Sequence, residues 1–289
     1  MRAVLPVIFA LFITPAAALG PSAPAVPPDR SPVVHVNIID GEDGRDSLVR
    51  LGPSLGLDAA DIARIRAVSG YVGCLSPSPS VGSAALFLDN QQILTAAHVF
   101  FEPSGQRRWK CFFKNQAADP VMIDLLVDDA HARFGARKPK PGSNSDYAIV
   151  RLAEPLAAAA PFPVKADIPV TPGEKLIVVT AHPADMAREV DRGMPVVQGC
   201  TVRRKPVSTE KTSFFRTDCD ATGASSGGMN LARINGQLAF RGITITTGPW
   251  RDPALNGAPY NEKGGSVTTA LGTDAAILAA GRSLAGSGF

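Results

Sequence analysis

Two adjacent serines lie in the glycine-rich stretch CDATGASSGG, residues 219–228. A serine hydroxyl becomes a nucleophile when a base lies within hydrogen-bonding distance, and a carboxylate usually orients that base. Histidine is the most common base, and the chain has four, at positions 35, 98, 131 and 182. Glycine and serine are also ordinary turn residues, so these serines indicate chemistry only if suitable partners exist elsewhere in the chain.

His98 is the strongest candidate for the base. It ends the segment ILTAAH, in which a strand runs into a tight turn of small residues that could present the imidazole to a cleft. His35 lies in a proline-rich region, His131 in a polar loop, and His182 before a proline, where a structural role is reasonable. Asp146 begins the alternating segment DYAIVRL. Taken alone, His98 could equally be an ordinary packed histidine, and Asp146 a turn cap.

Three segments, TAAH, SDYAIVRL and CDATGASSGG, occur in this order along the chain. Together they resemble the three catalytic blocks of the chymotrypsin-like, or trypsin-like, serine proteases. The resemblance covers roughly residues 69–280 and is closest for the bacterial branch that includes glutamyl endopeptidases. It implies a triad of His98, Asp146 and Ser226, in which Ser226 attacks a peptide carbonyl and forms an acyl-enzyme.

The same serines also fit a different class of hydrolase. Residues 223–227 satisfy G-x-S-x-G, the nucleophile elbow of α/β-hydrolases, whose histidine must follow the serine. No histidine follows residue 182, so that class is excluded. The protease pattern selects Ser226, which two glycines follow, over Ser225. No H-E-x-x-H motif and no paired ligands at metal-binding spacing are present, so we expect neither a metal nor a cofactor.

The sequence departs from the family pattern at two positions beside the nucleophile. Ser225 stands where chymotrypsin has an aspartate that receives the new N-terminal ammonium, so activation through such an ion pair is not expected. Ala224 stands where the family usually has glycine, and the resemblance implies that the backbone N–H groups of Ala224 and Ser226 form the oxyanion hole. If Ala224 had to adopt positive φ, the strain would cost about 1–2 kcal/mol, and the hole would form only with substrate bound.

The resemblance also implies residues of the primary specificity pocket. Asp220 lies six residues before Ser226, the offset at which trypsin-like enzymes place a carboxylate for Arg or Lys; a structural role is an equal alternative. Thr244 replaces the histidine of glutamyl endopeptidases. Thr247 would narrow the entrance, and Gly265 would keep the rear open. These residues predict cleavage after Arg or Lys, or after small apolar residues, and weak cleavage after Glu.

The elements that must position these residues are mostly strands. From Gly70 onward, short apolar segments are separated by Gly, Pro, Asn and Asp, which is typical of an all-β protein. The resemblance implies two antiparallel six-stranded β-barrels of the chymotrypsin type. We assign residues 69–165, with His98 and Asp146, to the first, and residues 166–289, with Ser226, to the second. A C-terminal helix capped by Thr273 should end the chain.

The N-terminal region precedes both barrels. Residues 1–18 combine Arg2, an apolar run and a small-residue cleavage site, which predicts a signal peptide too short to span a bilayer. Residues 19–68 form a proline-rich segment and then a short helix capped by Asp58. We therefore expect a secreted or periplasmic protein with no stable membrane insertion.

Charge and cysteine content restrict the partners and the covalent structure. The net charge of +3, which falls to +2 once Arg2 is removed, is too small to indicate nucleic-acid binding. Four cysteines in an oxidising compartment favour two disulfides. Their spacing leaves three pairings open; the resemblance implies Cys74 with Cys111 and Cys200 with Cys219.

The sequence therefore predicts an exported serine endopeptidase, expected to be a monomer, that acts on proteins or peptides. Two alternatives remain at this stage. One is a catalytically silent protease-like binding module, for which Ala224 is the argument. The other is an esterase that uses the same triad.

Overall fold

The structure is a computed structural model that describes residues 37–157, 159–181, 193–208 and 213–285. The predicted signal peptide, the proline-rich stretch before residue 37, His35 and His182 lie outside these ranges. Within them, antiparallel strands dominate and the helices are short. None of the helices in these ranges is long and apolar enough to cross a membrane.

Six strands form the first barrel: β2 Ser69–Ser76, β3 Ser80–Leu86, β4 Gln92–Thr95, β5 Trp109–Asn115, β6 Met122–Leu126 and β8 Ala148–Leu152. They are joined in the order β4-β3-β2-β5-β6-β8, and β8 pairs with β4 to close the barrel. A short additional strand, β7 Ala132–Phe134, pairs with residues 148–150 of β8, next to the part of β8 that pairs with β6. Alternating burial along β5 and β6 shows the expected division between an inner and an outer face.

Six strands also form the second barrel: β9 Lys175–Thr180, β10 Val196–Ser208, β11 Ser213–Thr217, β12 Met229–Ile234, β13 Gln237–Thr247 and β14 Thr268–Gly272. They are joined in the order β9-β10-β11-β14-β13-β12, and β9 pairs with both β10 and β12 to close the barrel. The two-residue strand β1 Asp46–Ser47 is added at β10. The predicted all-β fold of two six-stranded antiparallel barrels is confirmed.

A shared apolar core joins the two barrels. Phe87, directly after β3, meets Phe240 of β13 edge to face, with ring centroids 5.9 Å apart and an interplanar angle of 87°. Both rings are fully buried. Edge-to-face pairs add stabilisation beyond the burial of their area, so this contact fixes one barrel against the other below the cleft.

Three α-helices flank the barrels in the described residues: α1 Leu48–Leu51, α2 Ala59–Val68 and α3 Ala275–Ala285. The predicted cap of α2 is confirmed, because the Asp58 carboxylate accepts the N–H of Asp61. The predicted cap of α3 is wrong by one residue. Asp274 accepts the N–H groups of the first turn, while the Thr273 hydroxyl donates to the carbonyl of Phe240 and so ties the helix to β13.

Two disulfides brace the barrels, in the pairing that the resemblance implies. Cys74 of β2 and Cys111 of β5 are directly opposed in the ladder. Cys200 of β10 is joined to Cys219, seven residues before Ser226. The first closes a segment that contains His98, and the second ties the chain before Ser226 to the barrel.

Removal of the first disulfide should lower the free energy of unfolding. The bridge spans 37 residues of sequence, and by loop entropy it stabilises the fold by roughly 3–4 kcal/mol. The double variant Cys74→Ala/Cys111→Ala should show this loss in denaturant unfolding. The matched Cys200→Ala/Cys219→Ala variant, which opens a span of 19 residues, should lose slightly less. An unchanged unfolding midpoint in the first variant would contradict the assignment.

Candidate active site

The loop after β4 carries His98. A single 3₁₀ turn, Ala97–Val99, follows the strand directly, and the buried alanines at 96 and 97 pack the turn against the barrel. The Thr95 hydroxyl donates to the carbonyl of Ser83 at 2.7 Å, which fixes the end of β4 against β3. The side chain of His98 keeps 23% of its surface exposed, so the imidazole stands at the surface of the cleft while its backbone is buried.

Asp146 lies beneath this histidine and is fully buried. His98 Nδ1 is 2.8 Å from Asp146 Oδ2, and the backbone N–H of His98 donates to Oδ1 at 3.0 Å. The N–H of Gly142 donates to Oδ2 at 3.2 Å. With a carboxylate beside Nδ1, the neutral imidazole carries its proton there, so Nε2 faces the cleft as a base.

Ser226 completes the chain of contacts. Its Oγ lies 2.8 Å from His98 Nε2, within the distance required for proton transfer. The neighbouring Ser225 is buried, and its Oγ accepts the backbone N–H of Thr222 at 2.9 Å. Of the two adjacent serines, Ser226 is therefore the one that faces the imidazole, and Ser225 holds the turn together.

The serine turn of the second barrel is fixed by β3 of the first. The N–H of Ser83 donates to the carbonyl of Ser226 at 2.8 Å, and its hydroxyl donates to the carbonyl of Ala224 at 2.7 Å. Gly227 adopts φ +85°, and a Cβ there would lie 2.0 Å from the Ser83 carbonyl oxygen. This position therefore requires glycine, and the close contact between the two backbones fixes the position of the adjacent Ser226 relative to β3.

The backbone N–H groups of Ala224 and Ser226 have no hydrogen-bond acceptor among the described residues. Donors left free beside a nucleophile suit an oxyanion hole. The backbone of Ala224 does not adopt a positive φ. The strain considered for alanine at this position therefore does not arise in this conformation.

Arg108 supports the turn that carries His98. Its guanidinium donates to the carbonyls of His98 at 3.3 Å, Val99 at 3.4 Å and Phe101, and to the carbonyl of Ser78 at 3.1 Å. The residue is buried, and burial lowers its pKa. Carbonyls at the end of a helical turn lack intrahelical donors, and this side chain supplies them.

A cavity of about 240 Å³ lies beside Ser226 and His98. Residues 221–223 and residues 244–247 of β13 line it, with Pro141 and Trp250. Thr244 and Thr247, both predicted to form this pocket, are thus at the cavity. Gly265, also predicted, is not among the lining residues; its φ is +92°, and its carbonyl packs against Gly248.

Asp220 is also absent from the cavity lining. Its two carboxylate oxygens accept the backbone N–H groups of Ile39 and Gly44, each at 2.8 Å. Burial raises the pKa of this carboxyl to about 6, although the two N–H bonds oppose the rise. The carboxylate expected to receive a substrate cation is directed instead at the N-terminal segment.

Comparison with known families places the chain. A model of the trypsin-like peptidase domain matches residues 82–238, more than half of the chain, and this span contains all three triad candidates. The chain belongs to the trypsin-like peptidase family. Among curated protein sequences, none matches this chain significantly.

Solved structures show the same trypsin-like fold at low identity. A Glu endopeptidase in complex with MPD is 14% identical, with a TM-score of 0.59, over 84% of this chain and 96% of that one. A thermostable serine protease, AL20, from an extremophilic microorganism is 15% identical, with a TM-score of 0.53, over 77% and 99%. Protease Anisep from Arthrobacter nicotinovorans is 15% identical, with a TM-score of 0.50, over 75% and 95%. The predicted resemblance to bacterial chymotrypsin-like proteases is confirmed.

Sequence reasoning missed three residues that position the triad: Ser83, Arg108 and Gly142. Arg108 lies one residue before β5 and three before a disulfide cysteine, and nothing in this local sequence indicates that its side chain is buried. Ser83 and Gly142 also carried no signal, because their contacts join residues far apart in sequence or depend on the local course of a loop.

Loss of the Arg108 guanidinium should slow turnover. Without its hydrogen bonds, the turn that carries His98 can shift, and a displacement of about 1 Å at a reacting group can cost about a hundredfold in rate, so Arg108→Met should lower kcat at least about tenfold while KM changes little. Arg108→Lys should restore part of the activity. Arg107→Met is the matched control, since that guanidinium binds Val127 and Asp129 at the surface. Equal kcat in both Met variants would contradict the positioning role.

Proposed function

We propose that this protein is a serine endopeptidase that hydrolyses peptide bonds through Ser226, His98 and Asp146. The observation that carries the proposal is the continuous chain of two 2.8 Å contacts from Asp146 Oδ2 through the imidazole to Ser226 Oγ. Membership of the trypsin-like peptidase family supports the same reaction. The arrangement is that of the general Ser-His-Asp mechanism, which supplies the steps below.

In this mechanism, His98 Nε2 accepts the Ser226 hydroxyl proton as Oγ attacks the substrate carbonyl carbon. Asp146 holds the ring through Nδ1 and stabilises the imidazolium that forms. The carbonyl oxygen becomes an oxyanion, which the free N–H groups of Ala224 and Ser226 receive. His98 then protonates the leaving amine, and a water molecule releases the acyl group by the same steps in reverse.

Substitution of the two adjacent serines tests this assignment directly. Ser226→Ala removes the nucleophile and should lower kcat by about 10⁴-fold or more. Ser225→Ala removes one neutral hydrogen bond, which contributes about 1 kcal/mol, and should retain activity within about tenfold. Activity on casein, with His98→Ala and Asp146→Asn as parallel variants, is the measurement. An inactive Ser225→Ala beside an active Ser226→Ala would assign the nucleophile to the other residue.

The two alternatives predict different behaviour. A catalytically silent binding module would not react rapidly with a fluorophosphonate, because that reagent requires an activated serine. An esterase would hydrolyse a short ester but leave casein intact. The complete triad geometry and the free N–H groups beside Ser226 favour the active peptidase over the silent module.

Export is part of the proposal. The N-terminal sequence predicts a signal peptide at residues 1–18, and two disulfides persist in oxidising compartments. The periplasm or the extracellular medium provides such conditions. We therefore propose proteins or peptides outside the cytoplasm as substrates.

The cavity indicates the residue preferred before the scissile bond. No Asp, Glu, Lys or Arg is among its lining residues in the described part of the chain. The polar groups of Thr244 and Thr247 are hydroxyls, which hydrogen-bond to Asn230 and Thr268. Burial of an unpaired charge is strongly unfavourable, so we propose that the pocket takes small or medium uncharged side chains.

Peptides that differ only at this residue test the preference. We expect kcat/KM for Ala, Val or Leu to exceed that for Arg or Glu by at least about tenfold, because neither charged side chain finds a counter-ion at the cavity. The measurement is hydrolysis of matched peptides by the mature enzyme. A clear preference for Arg or for Glu would contradict the proposed pocket.

A further inference from the structure

The segment of residues 37–47, here called the strap, runs across the second barrel before the first helix. Asn37 and Ala221 exchange two backbone hydrogen bonds, of 2.9 and 3.0 Å. At its other end, β1 pairs with β10, where Asp46 is opposite Val197. The strap is therefore held at both ends by strands or bridges of the barrel that carries Ser226.

Asp220 binds the strap between these two ends. Its carboxylate oxygens accept the N–H groups of Ile39 and Gly44, so one side chain fastens both sides of the intervening turn. Its own backbone N–H donates to Gln198 Oε1 of β10 at 2.9 Å. The contact thus joins the strap, the chain before the serine turn and a barrel strand.

The residues that follow Asp220 form the cavity wall. Ala221, Thr222 and Gly223 line the cavity, and Ala221 is the residue that bridges to Asn37. Strap contacts therefore lie directly behind this wall. The carboxyl of Asp220 is buried away from the cavity, in agreement with its raised pKa.

We propose that Asp220 is a positioning residue that anchors the strap behind residues 221–223 and so holds the pocket in its substrate-binding form. This inference rests on the proposed peptidase function. Its carboxylate binds the backbone of the strap, and it does not line the cavity that would receive the substrate.

The contacts around Ser225 agree with this role. Ser225 is uncharged, and among the described residues its Oγ accepts a hydrogen bond within the turn, from the N–H of Thr222, so this position offers no charge for an ion pair. The strap supplies backbone donors at Asp220 instead. Both bonds go to one carboxylate, so a single side chain holds the two sides of the strap turn against the second barrel.

Three variants separate this role from a general loss of structure. Asp220→Ala removes both acceptors, and Asp220→Asn retains one carbonyl oxygen but places an NH₂ against the other N–H donor. Asp218→Asn is the matched control. It lies on the same stretch, and its carboxylate accepts the N–H of Thr201 and pairs with Arg203 but makes no hydrogen bond to the strap in the described residues. Arg203 also forms an exposed ion pair of 3.7 Å with Asp40 of the strap; such a pair contributes little, and Asp218→Asn leaves both of its members in place.

Two measurements follow for each variant of the mature protein. Hydrogen–deuterium exchange reports the strap peptide and the peptide that contains residues 221–223. We expect both to exchange at least about tenfold faster in Asp220→Ala, less so in Asp220→Asn, and as in wild type in Asp218→Asn, because protection reflects local opening. Kinetics of Asp220→Ala on Ala- and Arg-containing peptides should show KM raised about tenfold, by the same factor for both peptides. Its kcat should stay within about threefold of the wild-type value.

Fluorophosphonate labelling of Ser226 distinguishes the possible failures. Labelling within about threefold of wild type in Asp220→Ala would show that the triad is intact and that the defect lies in substrate binding. Unchanged hydrogen–deuterium exchange of the strap in both Asp220 variants would overturn the proposed anchoring role. A loss of kcat/KM confined to the Arg peptide would overturn it too. If the wild type neither hydrolyses peptides nor labels, the proposed function fails, and the exchange comparison alone then decides whether Asp220 anchors the strap and the wall.

Discussion

The fully buried carboxylate of Asp146 is the constraint on which the site depends. A buried charge is tolerated only where hydrogen bonds replace the water that it has lost. Here the imidazole and the backbone N–H of His98 supply two of these bonds, and Gly142 supplies a third. Because two of the three donors belong to one residue, the contacts that make the charge tolerable also fix both the backbone and the ring of the histidine. The direction of Nε2 toward Ser226 follows from that arrangement.

The proposed nucleophile, Ser226, comes from the other barrel, so its alignment with His98 requires a fixed junction between the barrels. Ser83 provides it with two hydrogen bonds to the serine turn, and Gly227 permits the close approach of the two backbones. Below this junction, the rings of Phe87 and Phe240 prevent the barrels from sliding. A displacement of about 1 Å at a catalytic group can reduce the rate about a hundredfold, which explains why a site divided between two barrels has so many contacts that do no chemistry.

Much of this arrangement could be predicted from the sequence, because the relevant signals are local. Short apolar segments separated by turn residues indicated the strands. His98, Asp146 and Ser226 each lie in a short sequence motif that resembles a catalytic block of the family. The direction in which a side chain points depends on residues that are distant in sequence, and a local motif does not give it. Asp220 has the offset of a pocket carboxylate, yet it binds the strap, about 180 residues earlier in the chain. The predicted cap of α3 was wrong for a related reason, since the Thr273 hydroxyl donates to Phe240 of β13 and Asp274 caps the helix instead.

The contacts of Asp220 also bear on how the pocket becomes ordered. A carboxylate beside the nucleophile could be neutralised by a free N-terminal ammonium, but Ser225 offers no charge there and binds its own turn. At Asp220 the donors are backbone N–H groups, which exist whether or not the preceding chain has been cut. Proteolytic removal of residues before the strap therefore creates no group that this contact needs. Under the proposed role of Asp220, the wall of the pocket depends on contacts between the strap and the second barrel that close a very long loop, and closure of such a loop is entropically unfavourable during folding. Ordering of the pocket would then accompany docking of the strap, and the contacts at Asp220 would need no new N-terminus.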